Sequence, residues 1–335
     1  MDLSSRYLGL ALKHPVVASA SPLTATLDGM KRLEDAGAAA VVMSSVYEEQ
    51  IRAEDTAYAL YTEHGSNSQP ETASYFPELP DYEHGLSGRL ETLRRACEAL
   101  DIPVIASLNG ASAEGWVEYA ARLEQAGAAA LELNVWFVPT DPAQSGAEIE
   151  RRYLEVVRAV RRTVRIPLAV KLSPFFSAMA HMAQELAAAG ADGLVLFNRF
   201  YEPDLDLETL APRRELELSS RYEIRLPMMW IALLRGRVAA SLAATRGVEG
   251  PEEVVKYLLA GADAVMTTSA LLRRGPQHLR SLVEGLENWL QAHGHASADA
   301  VRGLLSAARA DAAAEVLRTQ YMRLLSEYVP SRLAL

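Results

Sequence analysis

Lys171 stands in Pro-Leu-Ala-Val-Lys-Leu-Ser-Pro (167–174), among neighbours that read as an inner strand. An ammonium there is costly to bury without an anion, so its position calls for a partner, either from the protein or from a ligand. Asn134 closes Ala-Leu-Glu-Leu-Asn (130–134) and Asn198 closes Gly-Leu-Val-Leu-Phe-Asn (193–198). Three successive strand ends thus carry an amide, a cation and an amide, a set able to converge on one face of a planar ligand.

A second set follows later in the chain. Thr245-Arg246-Gly247 and Thr267-Thr268-Ser269 each end a strand and precede a helical stretch. Hydroxyls, backbone N–H groups and the positive end of a helix together hold phosphate, so a phosphate-bearing cofactor or substrate is expected at this end. Ser19, Ser21, Ser44, Ser45, Ser107 and Asn109 complete the polar residues near strand ends. A barrel rim always carries polar side chains, because the chain meets water there; Lys171 is the residue that this bland reading explains least.

These residues need a scaffold, and the chain supplies one from residue 15 onward. Short β-branched runs alternate with amphipathic stretches rich in Ala, Leu, Glu and Arg. The strand candidates are 15–20, 40–45, 103–108, 130–134, 167–172, 193–198, 240–245 and 264–269. Eight strands, each followed by a helix, define an α/β protein with a closed (β/α)8 TIM barrel. Ala-Gly-Ala recurs at 36–38, 126–128 and 189–191, with Ala-Gly-Ala again at 260–262; Gly there ends a helix in the left-handed conformation and turns the chain into a strand.

Two connections are too long for plain loops. Residues 46–86, after strand two, hold Tyr47, Tyr58, Tyr61, Tyr75, Phe76 and Tyr82; residues 199–227, after strand six, hold Pro203, Pro212 and Pro227. Both leave the C-terminal face, where long insertions cover or line a site. The barrel is expected over 1–295, with a helical extension over 296–335 that packs on the barrel or on a partner subunit.

Composition removes several classes of function. Thirty-three basic against 43 acidic residues give a net charge of −10, which argues against non-specific nucleic-acid binding. The single cysteine, Cys97, excludes an intramolecular disulfide and any cluster held by several of the chain's own thiolates; no metal site is expected. No apolar run of about 18 residues is long enough to span a bilayer. Met-Asp-Leu-Ser-Ser-Arg lacks the features of a signal peptide, so a cytoplasmic protein is expected.

From about residue 8 to residue 295 the chain resembles the dihydroorotate dehydrogenase family. The resemblance rests on His-Pro-Val-Val-Ala-Ser-Ala-Ser-Pro at strand one, Ala-Ser-Leu-Asn-Gly at strand three, Glu-Leu-Asn at strand four and Val-Lys-Leu-Ser-Pro-Phe-Phe at strand five. Leu-Leu-Ala-Gly-Ala and Thr-Ser-Ala-Leu extend it around strand eight. Leu-Phe-Asn-Arg-Phe-Tyr (196–201) and Pro-Thr-Asp-Pro (139–142) bring it nearest the dihydroorotate dehydrogenase-like subgroup. The resemblance implies an FMN enzyme acting on CH–CH groups, in which Ala20 and Ser21 floor the flavin. Ser44, Asn109, Asn134, Lys171 and Asn198 would reach the ring, the ribityl chain or a stacked substrate, with Lys171 at the N1–C2 edge. Thr245, Arg246, Gly247, Thr268 and Ser269 would hold the phosphate. The resemblance also implies a homodimer; with no membrane-docking N-terminal helix and a single cysteine, a soluble electron acceptor or partner protein is expected.

The departures from the family pattern are as informative. Ser44 replaces the family's strand-two lysine, and Arg246 replaces a close-approach glycine, where its guanidinium either reaches the phosphate as a fork of donors, the favoured arrangement, or narrows the site by its bulk. Trp136 and Phe137 stand where family members carry a small residue and the Cys or Ser base, and neither accepts a proton. Of the nearby Thr140, Asp141, Ser44 and Tyr47, Asp141 is the only ready base at neutral pH, although Asp-Pro beside a turn is commonly structural. Three functions follow: an FMN oxidoreductase for another planar substrate, a dihydroorotate dehydrogenase of pyrimidine biosynthesis with a displaced base, or a non-catalytic flavin- or phosphate-binding barrel.

Overall fold

The computed structural model describes residues 1–53, 85–110, 112–135, 137–199, 202, 204–213, 217–309 and 313–327. Most of the first insertion, including Tyr58, Tyr61, Tyr75, Phe76 and Tyr82, lies outside these residues, as do Trp136, Phe200, Tyr201 and Pro203.

Eight parallel strands close on themselves: β1 Val16–Ala18, β2 Val41–Val42, β3 Val104–Asn109, β4 Ala130–Asn134, β5 Leu168–Leu172, β6 Gly193–Leu196, β7 Ser241–Ala244 and β8 Ala264–Thr267. Each pairs with the next, and β8 pairs with β1. The (β/α)8 barrel expected from the alternating pattern is therefore present, with seven strands inside their anticipated runs and β3 reaching one residue further, to Asn109. A short strand, Val46–Tyr47, resumes beside the upper end of β3 after a break at 43–45.

Period-two alternation divides the side chains between two cores. Outward residues such as Leu131, Leu133, Val170 and Leu172 meet the helices, while Val17, Val42, Ile105, Ala130, Ala169, Val195, Ala243 and Met266 fill the barrel. Gly37, Gly127, Gly190 and Gly261 all have positive φ, as the repeated signature requires.

A hairpin of Ser5–Tyr7 with Leu10–Leu12, which the alternating pattern did not announce, closes the barrel floor. The Ser5 hydroxyl donates to the Asp263 carbonyl and the Leu8 N–H to the Ser241 hydroxyl, both at the N-terminal ends of strands. A Cβ on Gly193 would collide with Leu8, so this glycine makes room for the plug. In the second insertion, Asp204–Asp206 pairs with Ala211–Arg213 as an exposed hairpin.

Candidate active site

The inward positions of adjacent strands assemble the polar cluster. On β4 the inward residues are Ala130, Glu132 and Asn134; on β5 they are Ala169 and Lys171. Strand register sets Asn134 opposite Lys171 and Glu132 opposite Ala169. The anion that Lys171 calls for is Glu132, whose Oε1 lies 3.4 Å from Nζ. The residue-type reading missed Glu132, although period two from Asn134 in Ala-Leu-Glu-Leu-Asn points it into the barrel.

β6 completes the cluster. The Asn198 N–H donates to the Leu172 carbonyl, and Nδ2 of Asn198 donates to Oδ1 of Asn134 at 2.6 Å. Both amides are buried, so each presets the orientation of the other. Lys171, Asn134 and Asn198 are thus brought together at the mouth.

Lys171 and Asn198 open on a cavity of about 270 Å3, which Ala20 and Ser21 also line. Its far side is made by Thr245, Arg246, Gly247, Thr268 and Ser269, the set with phosphate-binding chemistry. Two of the three hydroxyls here, those of Thr245 and Ser269, have protein partners. Thr245 donates to the Phe197 carbonyl, and Ser269 Oγ accepts from both the N–H and the hydroxyl of Ser219 in the second insertion. Tyr257, its phenol pushed up by burial, donates to the carbonyls of Thr245 and Arg246 and so fixes the turn after β7.

Arg246 departs from the orientation expected of it. Its Nε and Nη2 donate to Glu223 Oε2 at 3.2 and 2.7 Å, so the guanidinium is held by the second insertion. Its backbone lies at φ +79°, the left-handed region in which glycine is at ease. Gly247, at φ +66°, is crowded: a Cβ there would stand 2.7 Å from the Ser220 carbonyl oxygen.

A second cavity, of about 500 Å3, adjoins the ends of β3 and β4. Asn109 lines it together with Tyr47, Trp116, Val135, Phe137 and Arg152. The Arg152 guanidinium lies 4.2 Å above the centre of the Phe137 ring, a cation–π contact. Consecutive residues therefore serve the two spaces, with Asn134 reaching Asn198 and Val135 facing the second cavity.

Two expected residues sit apart. Ser44 donates its N–H to the Thr24 carbonyl and lines neither cavity. Asp141 is exposed and its Oδ1 accepts from the Ala143 N–H at 2.9 Å, the arrangement of a turn-forming aspartate. Among the described residues no group of His, Cys, Asp and Glu could hold a metal, and no helix is long and apolar enough to cross a membrane.

A closed parallel barrel with its polar side chains gathered at the C-terminal mouth has the layout of a (β/α)8 enzyme. A model of the dihydroorotate dehydrogenase family matches residues 79–290, and the chain belongs to that family. Its members are flavin-dependent oxidoreductases acting on CH–CH groups, and this chain is an oxidoreductase of that kind. It is 34% identical to the putative dihydroorotate dehydrogenase A (fumarate) of Aeropyrum pernix, over 63% of this chain and 70% of that one. Identity to the dihydroorotate dehydrogenase B (NAD(+)) catalytic subunit of Bacillus pumilus is 31%, over 64% and 71%. For the subunit of the same name in Methanothermobacter thermautotrophicus it is 27%, over 90% and 98%.

Proposed function

We propose that the chain is an FMN-dependent oxidoreductase that moves hydride between a small planar substrate and flavin N5. The observation carrying this reading is the join between the Asn134–Lys171–Asn198 cluster and a cavity whose other end has phosphate-binding chemistry. A cation and two amides suit the polar edge of an isoalloxazine, and the loops after β7 and β8 suit its phosphate. Bound there, FMN would supply the two-electron centre. Lys171 and Asn198 act at the ring edge and Asn134 orients Asn198. Ala20 and Ser21 form the floor, and Thr245, Gly247, Thr268 and Ser269 hold the phosphate, with Arg246 beside them. Asn109 lies toward the substrate, and Ser44, which lines neither cavity, takes no direct part.

The second cavity is the place for substrate. Phe137 offers a flat wall to a ring or an unsaturated acid, and Arg152 offers a cation to an acid group. Phe137 takes no proton, and the turn role of Asp141 is the better supported one. The reading therefore favours a substrate other than dihydroorotate. A dihydroorotate dehydrogenase with a displaced base is the second reading, favoured by the relatives. Their names include fumarate and NAD(+), which fit a soluble acceptor or a partner protein here; a cytoplasmic homodimer is part of the same reading.

The test is spectroscopic. Purified protein should carry or take up FMN and bleach with dithionite, while anaerobic dihydroorotate should bleach it slowly or not at all. Rapid bleaching by dihydroorotate would establish the second reading instead, and a colourless protein that refuses FMN would remove both.

A further inference from the structure

Glu132 is an ionisable side chain sealed inside the barrel, with 1% of its surface exposed. One carboxylate oxygen meets Lys171 Nζ at 3.4 Å, and the other has no protein partner. Below it, the floor hairpin sends Tyr7 up the barrel axis, where the small inward side chains Ala130, Ala169, Ala243 and Ala264 leave space for the ring. The Tyr7 hydroxyl is fully buried and also lacks a protein partner. Burial, and after it the charge of Glu132, holds its proton well above the ordinary phenol range. A stack thus runs from the floor to the mouth: phenol, carboxylate, ammonium, cavity.

An apolar residue at position 132 would match Ala130 below it and Ala169 opposite it, and the protein instead buries a carboxylate. Isolated charge in such a place is strongly unfavourable, and Lys171 is the one cation that the described contacts give it. Lys171 in turn lines the cofactor cavity with 12% of its side chain exposed.

We propose that Glu132 is a positioning residue for Lys171: its carboxylate holds the ammonium at the cavity wall and offsets part of its charge. The pair, not the lysine alone, then sets how readily a flavin in the cavity is reduced. This rests on the flavin reading above. Reduction places negative charge on the flavin, so a more positive wall favours the reduced form and a less positive one disfavours it.

The measurement is the two-electron midpoint potential of the FMN-loaded full chain. Glu132→Gln keeps the shape and an acceptor for Nζ but removes the charge. It should raise the potential, changing the reduced-to-oxidised ratio at a fixed poise at least tenfold, about 30 mV for a two-electron couple. Lys171→Met should lower it. Where Glu132→Gln alone does not fold, Glu132→Asp keeps the charge but withdraws it by one methylene from Nζ, and the potential should rise by less than for Glu132→Gln. A residue that merely filled space would leave the potential unmoved on Glu132→Gln, and that result overturns the proposal, as does a downward shift or a Glu132→Asp variant equal to the parent. Failure to take up FMN defeats the flavin reading itself, whereas a yellow protein with an unmoved potential defeats only the role of Glu132.

Discussion

Arg246 shows how one residue reconciles two demands. The turn after β7 needs a left-handed backbone at this position, which costs a side-chain-bearing residue about 1 kcal/mol. The ion pair with Glu223 returns a similar amount, since partly exposed pairs contribute up to about 1 kcal/mol. Arg246→Gly should therefore stay within about 1 kcal/mol of the parent protein, because relief of the backbone offsets loss of the pair. Arg246→Ala keeps the unfavourable φ without the pair and should be the less stable variant by about 1 kcal/mol. Urea unfolding midpoints at constant slope would decide the order. An alanine variant as stable as the glycine variant would mean that the left-handed turn is not a strained feature.

At the scale of elements, His14 fastens the start of β1 to the end of the helix Leu27–Asp35 that precedes β2. A backbone N–H donates only, so Nδ1 accepts from Val16, and Nε2 carries the proton donated to the Gly37 carbonyl. That neutral tautomer satisfies both partners, and a second proton on Nδ1 would oppose the Val16 N–H. Burial is the main cause that lowers the imidazole from 6.5 to about 4, helped by the charge of Lys13. Below pH 6.5 the unfolded chain binds a proton that the folded chain refuses until about pH 4. Stability should fall as pH drops through that window, by about 3 kcal/mol from this group, and be independent of it above. Comparing the parent with His14→Gln by denaturant unfolding between those limits isolates the contribution; parallel pH profiles would contradict it.

For the whole molecule, the boundary at residue 295 separates sequence character more than it separates packing. Arg302 reaches back to Asp263 Oδ1 at 3.0 Å, an oxygen also held by Arg235 at 2.8 Å, while Asp263 Oδ2 accepts from the Leu242 N–H. The N–H groups of Gly303 and Leu305 donate to the Leu258 and Leu259 carbonyls, and Val301 is fully buried. Beyond these, Tyr321, Met322, Leu324 and Leu325 on the helix Ala313–Glu327 are exposed. Ending the chain at 306 should leave thermal stability nearly unchanged. Ending it at 295 removes Arg302 from Asp263, which keeps Arg235, and with it the buried Val301, and should cost about 2 kcal/mol or more. Equal melting temperatures for the two truncations would show that residues 297–305 do not belong to the barrel's cooperative unit.

Much of this was legible along the chain, because a barrel strand signals itself locally. Alternating apolar runs gave all eight strands, and Gly after four of the helices marked their turns, since both depend on neighbours a few residues away. Lys171, Asn134 and Asn198 were visible as strand-end residues, and the tertiary structure brought Asn134 to Asn198. Contacts across long separations were not legible. Glu132 became the partner of Lys171 only when register placed β4 beside β5; Arg246 turned to Glu223 because an insertion folded over the turn; Asp141 was consumed by its own turn. Sequence by itself determined the barrel, its family and the inventory of groups at its mouth, because periodicity and residue type are local properties. Which of those groups face one another, and which are already satisfied, was decided by closure of the sheet, because the distances between charges and amides exist only once distant strands lie side by side.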